Sequence, residues 1–194
     1  MRAAAGRAVL TAAAFATAVR RARDHDVGST EERIFRAVNA GPDTLYPPVW
    51  MLMQSGSLAA VFVTAAAVHR RRDPVVTATL VVAGTAVWGG VKLVKPLIGR
   101  RRPQHHLGDV RVRGRAQTGL GFPSGHAAVA TTLALIVTRP RSPARAAALA
   151  TAVATGVSRM YVGAHLPLDV IGGLAIGAAA GSTANACIRR CVVS

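Results

Sequence analysis

The residues best suited to chemistry in this chain lie between positions 158 and 169, which read Ser-Arg-Met-Tyr-Val-Gly-Ala-His-Leu-Pro-Leu-Asp. They set a cation, an imidazole and a carboxylate between two apolar segments. Proline is tolerated in the first turn of a helix, so Pro167 predicts a helix start near Leu166. His165 then lies just outside a helix N-terminus, where backbone amides and the dipole favour an anion. Asp169 falls in that first turn, within reach of one ring nitrogen of His165. The other nitrogen is left free as a nucleophile or a base. Arg159 adds a planar fork that suits phosphate. Two further groups have the same character. Lys95 and Arg102 are spaced so that both can face one oxyanion. Ser124 is a natural N-cap, Gly125 leaves amides exposed at a helix start, and His126 can donate a proton to a leaving oxygen.

These groups need elements that hold them at one level. Residues 46–68 form an uncharged run long enough to span a bilayer, with Tyr46 and Trp50 suited to one interface. Further spans are expected at 74–95, 123–138, 144–161 and 166–188, with Pro96 and Gly99 breaking the second. The apolar core at 8–19 is short for a span, so the N-terminal helix is borderline, and it is read as retained. Ser29 or Thr30 is expected to cap a short helix ending at Asn39. The fold class is therefore all-α, a polytopic membrane helix bundle of five transmembrane helices plus a borderline N-terminal one. It forms a single domain over residues 1–194. Glycine and alanine in the last two spans permit close helix packing in lipid.

Composition agrees. Hydrophobic residues make up 51% of the chain and charged residues only 16%, and long uncharged runs alternate with short Arg-rich clusters, the pattern of a polytopic membrane protein. The formal charge of +16 would suggest nucleic acid on a soluble protein. Here the charges punctuate apolar runs, so anionic lipid and membrane orientation account for them, and no nucleic-acid partner is expected. Passing the chain up and down through the last five spans puts the three polar groups on one side. The other side receives eight arginines, in the loops 70–72 and 139–145 and at 189–190, and should be cytoplasmic. The third helix, over 124–139, reaches only ~24 Å, which leaves Ser124 at or below the outer interface.

The three groups, Lys95-x6-Arg102-Pro103, Pro123-Ser124-Gly125-His126 and Ser158-Arg159-x5-His165-x3-Asp169, resemble the signature of the type 2 phosphatidic acid phosphatase family, which the vanadium haloperoxidases share. All eleven signature positions stand in order and at the right spacing, within residues 92–175. The membrane members usually have six spans. The resemblance implies that His165 attacks phosphorus to form a phosphohistidine, oriented by Asp169, and that His126 protonates the leaving group. It implies that Lys95, Arg102, Arg159, Ser124 and Gly125 hold the phosphoryl oxygens, with no metal or cofactor. Fixed cations and amide donors suit that chemistry, since phosphoryl transfer is mostly positioning and charge stabilisation.

The expected function is that of an integral membrane phosphatase in a bacterial cell membrane, with its site on the extracytoplasmic side. Its partners are membrane lipids and a lipid phosphate or polyprenyl (pyro)phosphate substrate. Polyprenyl carriers, phosphatidic acid and phosphatidylglycerol phosphate all remain open. A vanadate-dependent haloperoxidase-like oxidoreductase and a non-catalytic anionic-lipid binder are the alternatives. Elsewhere the bland reading stands. His25, His69, His105 and His106 are surface residues, although the last two lie in a loop that could touch substrate. The arginines at 100, 101, 111, 113 and 115 form a solvated or lipid-facing strip. Trp88 is core, and Cys187 and Cys191 are packing.

Overall fold

A computed structural model describes residues 2–24, 26–70 and 74–193. The surface reading of His25, and Arg71 and Arg72 of the first basic loop, fall outside the described residues. Eight α-helices and three short 3₁₀ turns make up the regular structure, with no strand among the described residues. The helices are α1 (Arg2–Arg23), α2 (Ser29–Asn39), α3 (Tyr46–Met53), α4 (Leu58–His69), α5 (Pro74–Ile98), α6 (Gly125–Val137), α7 (Pro143–Tyr161) and α8 (Pro167–Val193). The all-α expectation holds.

Helix α6 is the axis of the molecule. Nearly every one of its side chains is buried, packed against α5, α7 and α8. The contact with α8 is close because α8 presents glycine every fourth residue there. A Cβ on Gly173 or Gly177 would run into the Ser124 and Ala128 carbonyls, and one on Gly181 would lie 2.8 Å from Leu135 Cβ. This is how small residues bring two backbones together in lipid. Val61, Leu80, Val87, Val129 and Leu133 fill the space between α4, α5 and α6. Helix α1 lies along α8. Its Phe15 meets Phe122 with ring centroids 6.3 Å apart.

The spans differ from the sequence expectation in three ways. Residues 46–68 are not one straight helix. Asp43–Gly56 and Leu58–His69 meet at a bend of 68°. Ser57 is extended there and its hydroxyl accepts from the Ala60 amide, so it restarts the helix as an N-cap. Gly56 makes the bend fit, because a Cβ would strike the His126 carbonyl. Second, Pro96 does not break α5, which runs on to Ile98. It sits in the last turn, where one lost amide costs little, and the turn ends at Gly99 with φ of 73°.

Third, among the described residues only Pro74–His105 and Pro167–Cys191 are long and apolar enough to cross a membrane alone, with the bent pair as a third candidate. Helix α6 is apolar but has 13 residues, about 20 Å at the usual rise. Helix α7 carries Arg145 and Arg159 near its ends and falls short in apolarity. Large apolar side chains nevertheless point outward along α4 and α5, with Val63, Val82, Leu93 and Leu97 between 67% and 75% exposed. Water would leave that surface unstable, and hydrocarbon would not.

Two bland readings also change. Cys187 and Cys191 lie on exposed positions rather than in packing. Trp88 is half-buried against the core, with Lys92 Nζ 3.1 Å from its ring centroid.

Candidate active site

The antiparallel course of α5 to α8 brings four chain segments to one end of the bundle. Lys95 comes from the last turns of α5, and Arg102 from the extended stretch beyond it. Ser124, Gly125 and His126 come from the start of α6, and Arg159 from the end of α7. His165 lies in the α7–α8 connection and Asp169 in the first turn of α8. Helix α8 begins at Pro167, as expected.

His165 Nδ1 is 3.3 Å from Asp169 Oδ2, with both side chains buried. Asp169 Oδ2 also accepts from the Leu166 amide at 2.9 Å, and Oδ1 from Arg100 at 3.2 Å. An ionised carboxylate can only accept, so it holds the ring proton on Nδ1 and leaves the Nε2 lone pair free. The connection itself is pinned, because the amides of Ala164 and His165 both donate to the Arg159 carbonyl, at 2.9 and 3.2 Å. Gly163 makes that turn possible with φ of 76° and its Cα against the Arg111 carbonyl.

The cations are fixed by carbonyls rather than by carboxylates. Lys95 Nζ donates to Leu120 O at 2.9 Å and Gly121 O at 2.7 Å. Arg102 donates to Thr118 O at 3.1 Å and Ala164 O at 2.7 Å. Carbonyls orient these groups and leave their positive charge uncompensated. Arg159 is 4% exposed, its Nη1 rests on Met53 Sδ at 3.3 Å, and its Nε has no partner. Ser124 Oγ is likewise buried and unpartnered. Its expected capping bond is not made, although Ser124 does occupy the N-cap position. Buried polar atoms without partners are rare, and here two of them flank a helix N-terminus beside three cations. The arrangement has the charge and the open donors that suit an anion with several oxygens.

Burial, followed by the nearby charges of Lys95, Arg159 and Arg102, pushes the His165 imidazole well below the usual histidine range. The ring is neutral at physiological pH and able to act as a nucleophile. Beside Arg159 a pocket of about 100 Å³ opens between Tyr46, Trp50 and Met53 on one side and Val112 to Gln117 on the other. No group of three His, Cys, Asp or Glu side chains able to hold a metal ion occurs among the described residues.

All eight sequence-predicted residues therefore meet at one end of the bundle. The arginine strip survives in part: Arg101, Arg111 and Arg115 are exposed, whereas Arg100 and Arg113 are not. Arg100 is fully buried and paired with Glu31 at 2.7 Å as well as with Asp169. Arg113 donates to the carbonyls of Asn39, Gly41 and Tyr161 and to Asp43. The signal for Arg100 was available in the sequence. In an extended stretch alternate residues share a face, so Arg100 and Arg102 turn inward together while Arg101 is exposed. Glu31 left no such signal beyond the scarcity of acidic residues, eight in the whole chain.

The PAP2 superfamily model matches residues 74–192. Decaprenylphosphoryl-5-phosphoribose phosphatase of Mycobacterium tuberculosis is 38% identical over 90 residues, which are 46% of this chain and 49% of that protein. Lipid A 1-phosphatase of Rhizobium johnstonii is 39% identical over 102 residues, 48% of this chain and 41% of that protein. The chain spans about half the length of the curated relatives it matches. The crystal structure of Aquifex aeolicus LpxE superposes with a TM-score of 0.72 at 25% identity, covering 83% of this chain and 98% of that one. A transmembrane PAP2 type phosphatidylglycerolphosphate phosphatase from Bacillus subtilis shares the fold, with a TM-score of 0.75 at 21% identity over 93% of this chain and 96% of that one. With the family's match covering α5 to α8 and each of the four segments that meet at this end of the bundle, the chain belongs to the PAP2 superfamily.

Proposed function

We propose that this protein is an integral membrane phosphatase that removes phosphate from a lipid phosphate or polyprenyl (pyro)phosphate through a phosphohistidine, without a metal. The observation that carries the reading is His165 tethered at Nδ1 by Asp169, beside Lys95, Arg102 and Arg159, which make no ion pair with a carboxylate among the described residues. In the first step the Nε2 lone pair attacks phosphorus and the bond to the leaving oxygen breaks. His126 gives that oxygen its proton. Water then attacks the phosphohistidine, His126 takes a proton from it, and inorganic phosphate leaves with His165 restored. Lys95, Arg102, Arg159 and the Ser124-Gly125 start of α6 hold the equatorial oxygens, supplying the charge that a metal supplies elsewhere.

The substrate reading rests on depth and on the relatives. Both sequence relatives carry names of enzymes acting on lipid-linked phosphates. Helix α6 is shorter than the ~30 Å hydrocarbon core, which favours a site at or below the outer interface, reached sideways from the bilayer. The arginines described at the other end, Arg70, Arg139, Arg141, Arg145, Arg189 and Arg190, favour that end as cytoplasmic. The direct test is acid quenching with ³²P-labelled dioleoyl phosphatidic acid in excess chelator. A labelled protein band should form, and His165→Ala should lose both the band and turnover. Turnover by His165→Ala, or a requirement for magnesium or zinc, would end this reading. For sidedness, Ala116→Cys in a background lacking Cys187 and Cys191 should react with an impermeant thiol reagent outside intact cells, and Ala144→Cys should not.

A further inference from the structure

Asp169 is not alone behind His165. Arg100 Nη1 donates to Asp169 Oδ1 at 3.2 Å. The same guanidinium grips Glu31 with two bonds, Nη1 to Oε1 at 3.0 Å and Nη2 to Oε2 at 2.7 Å. Glu31 Oε1 also accepts from the Leu168 amide at 2.9 Å, in the first turn of α8. Arg100 and Asp169 are 0% exposed and Glu31 is 8% exposed. One helix, α2, thus reaches the turn that carries Asp169 both directly and through Arg100. Glu31 lies outside residues 74–192, the part that the superfamily model matches.

The charges in this row have a consequence. Two carboxylates share one guanidinium, so the group Glu31, Arg100 and Asp169 carries a net charge of −1 beside a neutral His165. Phosphorylation at Nε2 makes the ring cationic, and the buried row then closes at zero. Without Glu31, Arg100 would neutralise Asp169 by itself and draw it off the ring. Without Arg100, two carboxylates would face each other in a buried site, and one would take up a proton. We infer that Glu31 and Arg100 are positioning residues that keep Asp169 ionised and aimed at His165, which makes α2 part of the catalytic apparatus. This rests on the phosphohistidine reading given above.

The test uses the full chain in nanodiscs with dioleoyl phosphatidic acid. Glu31→Gln and Arg100→Gln should each lower kcat ~10–100-fold with KM within about twofold, as for loss of a group that acts in the transition state. In an Asp169→Asn background the same substitutions should cost less than about twofold, because their effect passes through Asp169. Equal losses in both backgrounds, or a raised KM at unchanged kcat, would show a merely structural pair. Should the single variants fail to fold, the double variant Glu31→Met, Arg100→Met removes an opposite pair and leaves the row at −1, so it separates the loss of aim on Asp169 from a change of charge. It should fold and still lose kcat, and wild-type kcat in it would overturn the inference. If the wild-type protein hydrolyses nothing, the phosphatase reading falls and the positioning role is read from ¹⁵N spectra of ring-labelled histidine. His165, identified by His165→Gln, should show a single Nδ1–H tautomer that becomes mixed in the double variant. Unchanged ring signals would overturn the relay.

Discussion

The two ends of the bundle use arginine in opposite ways. Where α5 and α7 end and α6 and α8 begin, Arg100, Arg102 and Arg159 are buried, each at most 7% exposed, and Arg113 is bonded to four acceptors. At the other end Arg139, Arg141, Arg189 and Arg190 are exposed. Arg145 is tied down there, closing the α6–α7 turn on the carbonyls of Leu135 and Thr138. One residue type therefore stands in two environments. Shielded from water and held by protein groups, a guanidinium is a fixed, directed donor. Left in solvent it is a mobile, screened charge. A count of basic residues cannot separate the two, and burial does.

That contrast can be broken or sharpened. The largest effect should come from Arg159→Gln, which removes the buried cation with an open Nε. It should lower kcat/KM by about 10²–10³-fold on a lipid phosphate, the usual loss for a donor to the transition state. Next is Gly177→Val, which forces α6 and α8 apart behind the site. Overpacking of this kind costs about 1–3 kcal/mol, and the apparent Tm in detergent should fall with it. Arg113→Ala orphans the carbonyls of Asn39 and Gly41 and leaves Tyr161 O to the Asn39 side-chain amide, and should cost about 1–3 kcal/mol with a smaller fall in kcat than Arg159→Gln.

Acidification should do little at first. His165 must be neutral to attack, so activity is lost as pH falls through its folded pKa. Burial and the surrounding cations hold that pKa well below 6.5. Between pH 7.5 and 5.5, kcat/KM corrected for the second ionisation of the substrate should therefore stay within about twofold, where an ordinary histidine would keep only about a tenth of its neutral form at the lower limit. The smallest effect should be that of Arg141→Gln or Arg190→Gln at the far end, within about twofold in turnover. A large loss from either would abolish the distinction between the two ends.

The site was legible in the sequence because its chemistry is carried by residue type and spacing. Pro167 placed the start of α8, and with it the four-residue step from His165 to Asp169. Helix positions followed from uncharged runs and Pro or Gly breaks, which is why all five segments appear as helices. Their shapes did not follow. The 68° bend after Gly56 depends on the carbonyl of His126, seventy residues away in sequence, and no local pattern reports it. Pro96 was misread because its cost depends on how many helical residues come after it. Glu31 and Arg113 were missed for a related reason. Each bonds backbone or side chains distant in sequence, and an arginine's burial is decided by the fold around it.

The fastening of the α5–α6 connection has a consequence for proteases. Six arginines lie between residues 100 and 115, and a flexible loop of that composition would be cut by trypsin at many points. Here Arg100 and Arg102 are buried, and the backbone at Arg111 is held by both ends of the Asn39 amide at 2.9 Å. The Arg113 amide donates to Val162 O at 3.2 Å. Residues 114–119 are exposed. A protease needs a stretch of chain it can draw into an extended form, and only the segment after these fastenings offers one. The first cut should fall after Arg115, and it should occur in intact spheroplasts only if this end of the bundle faces outward.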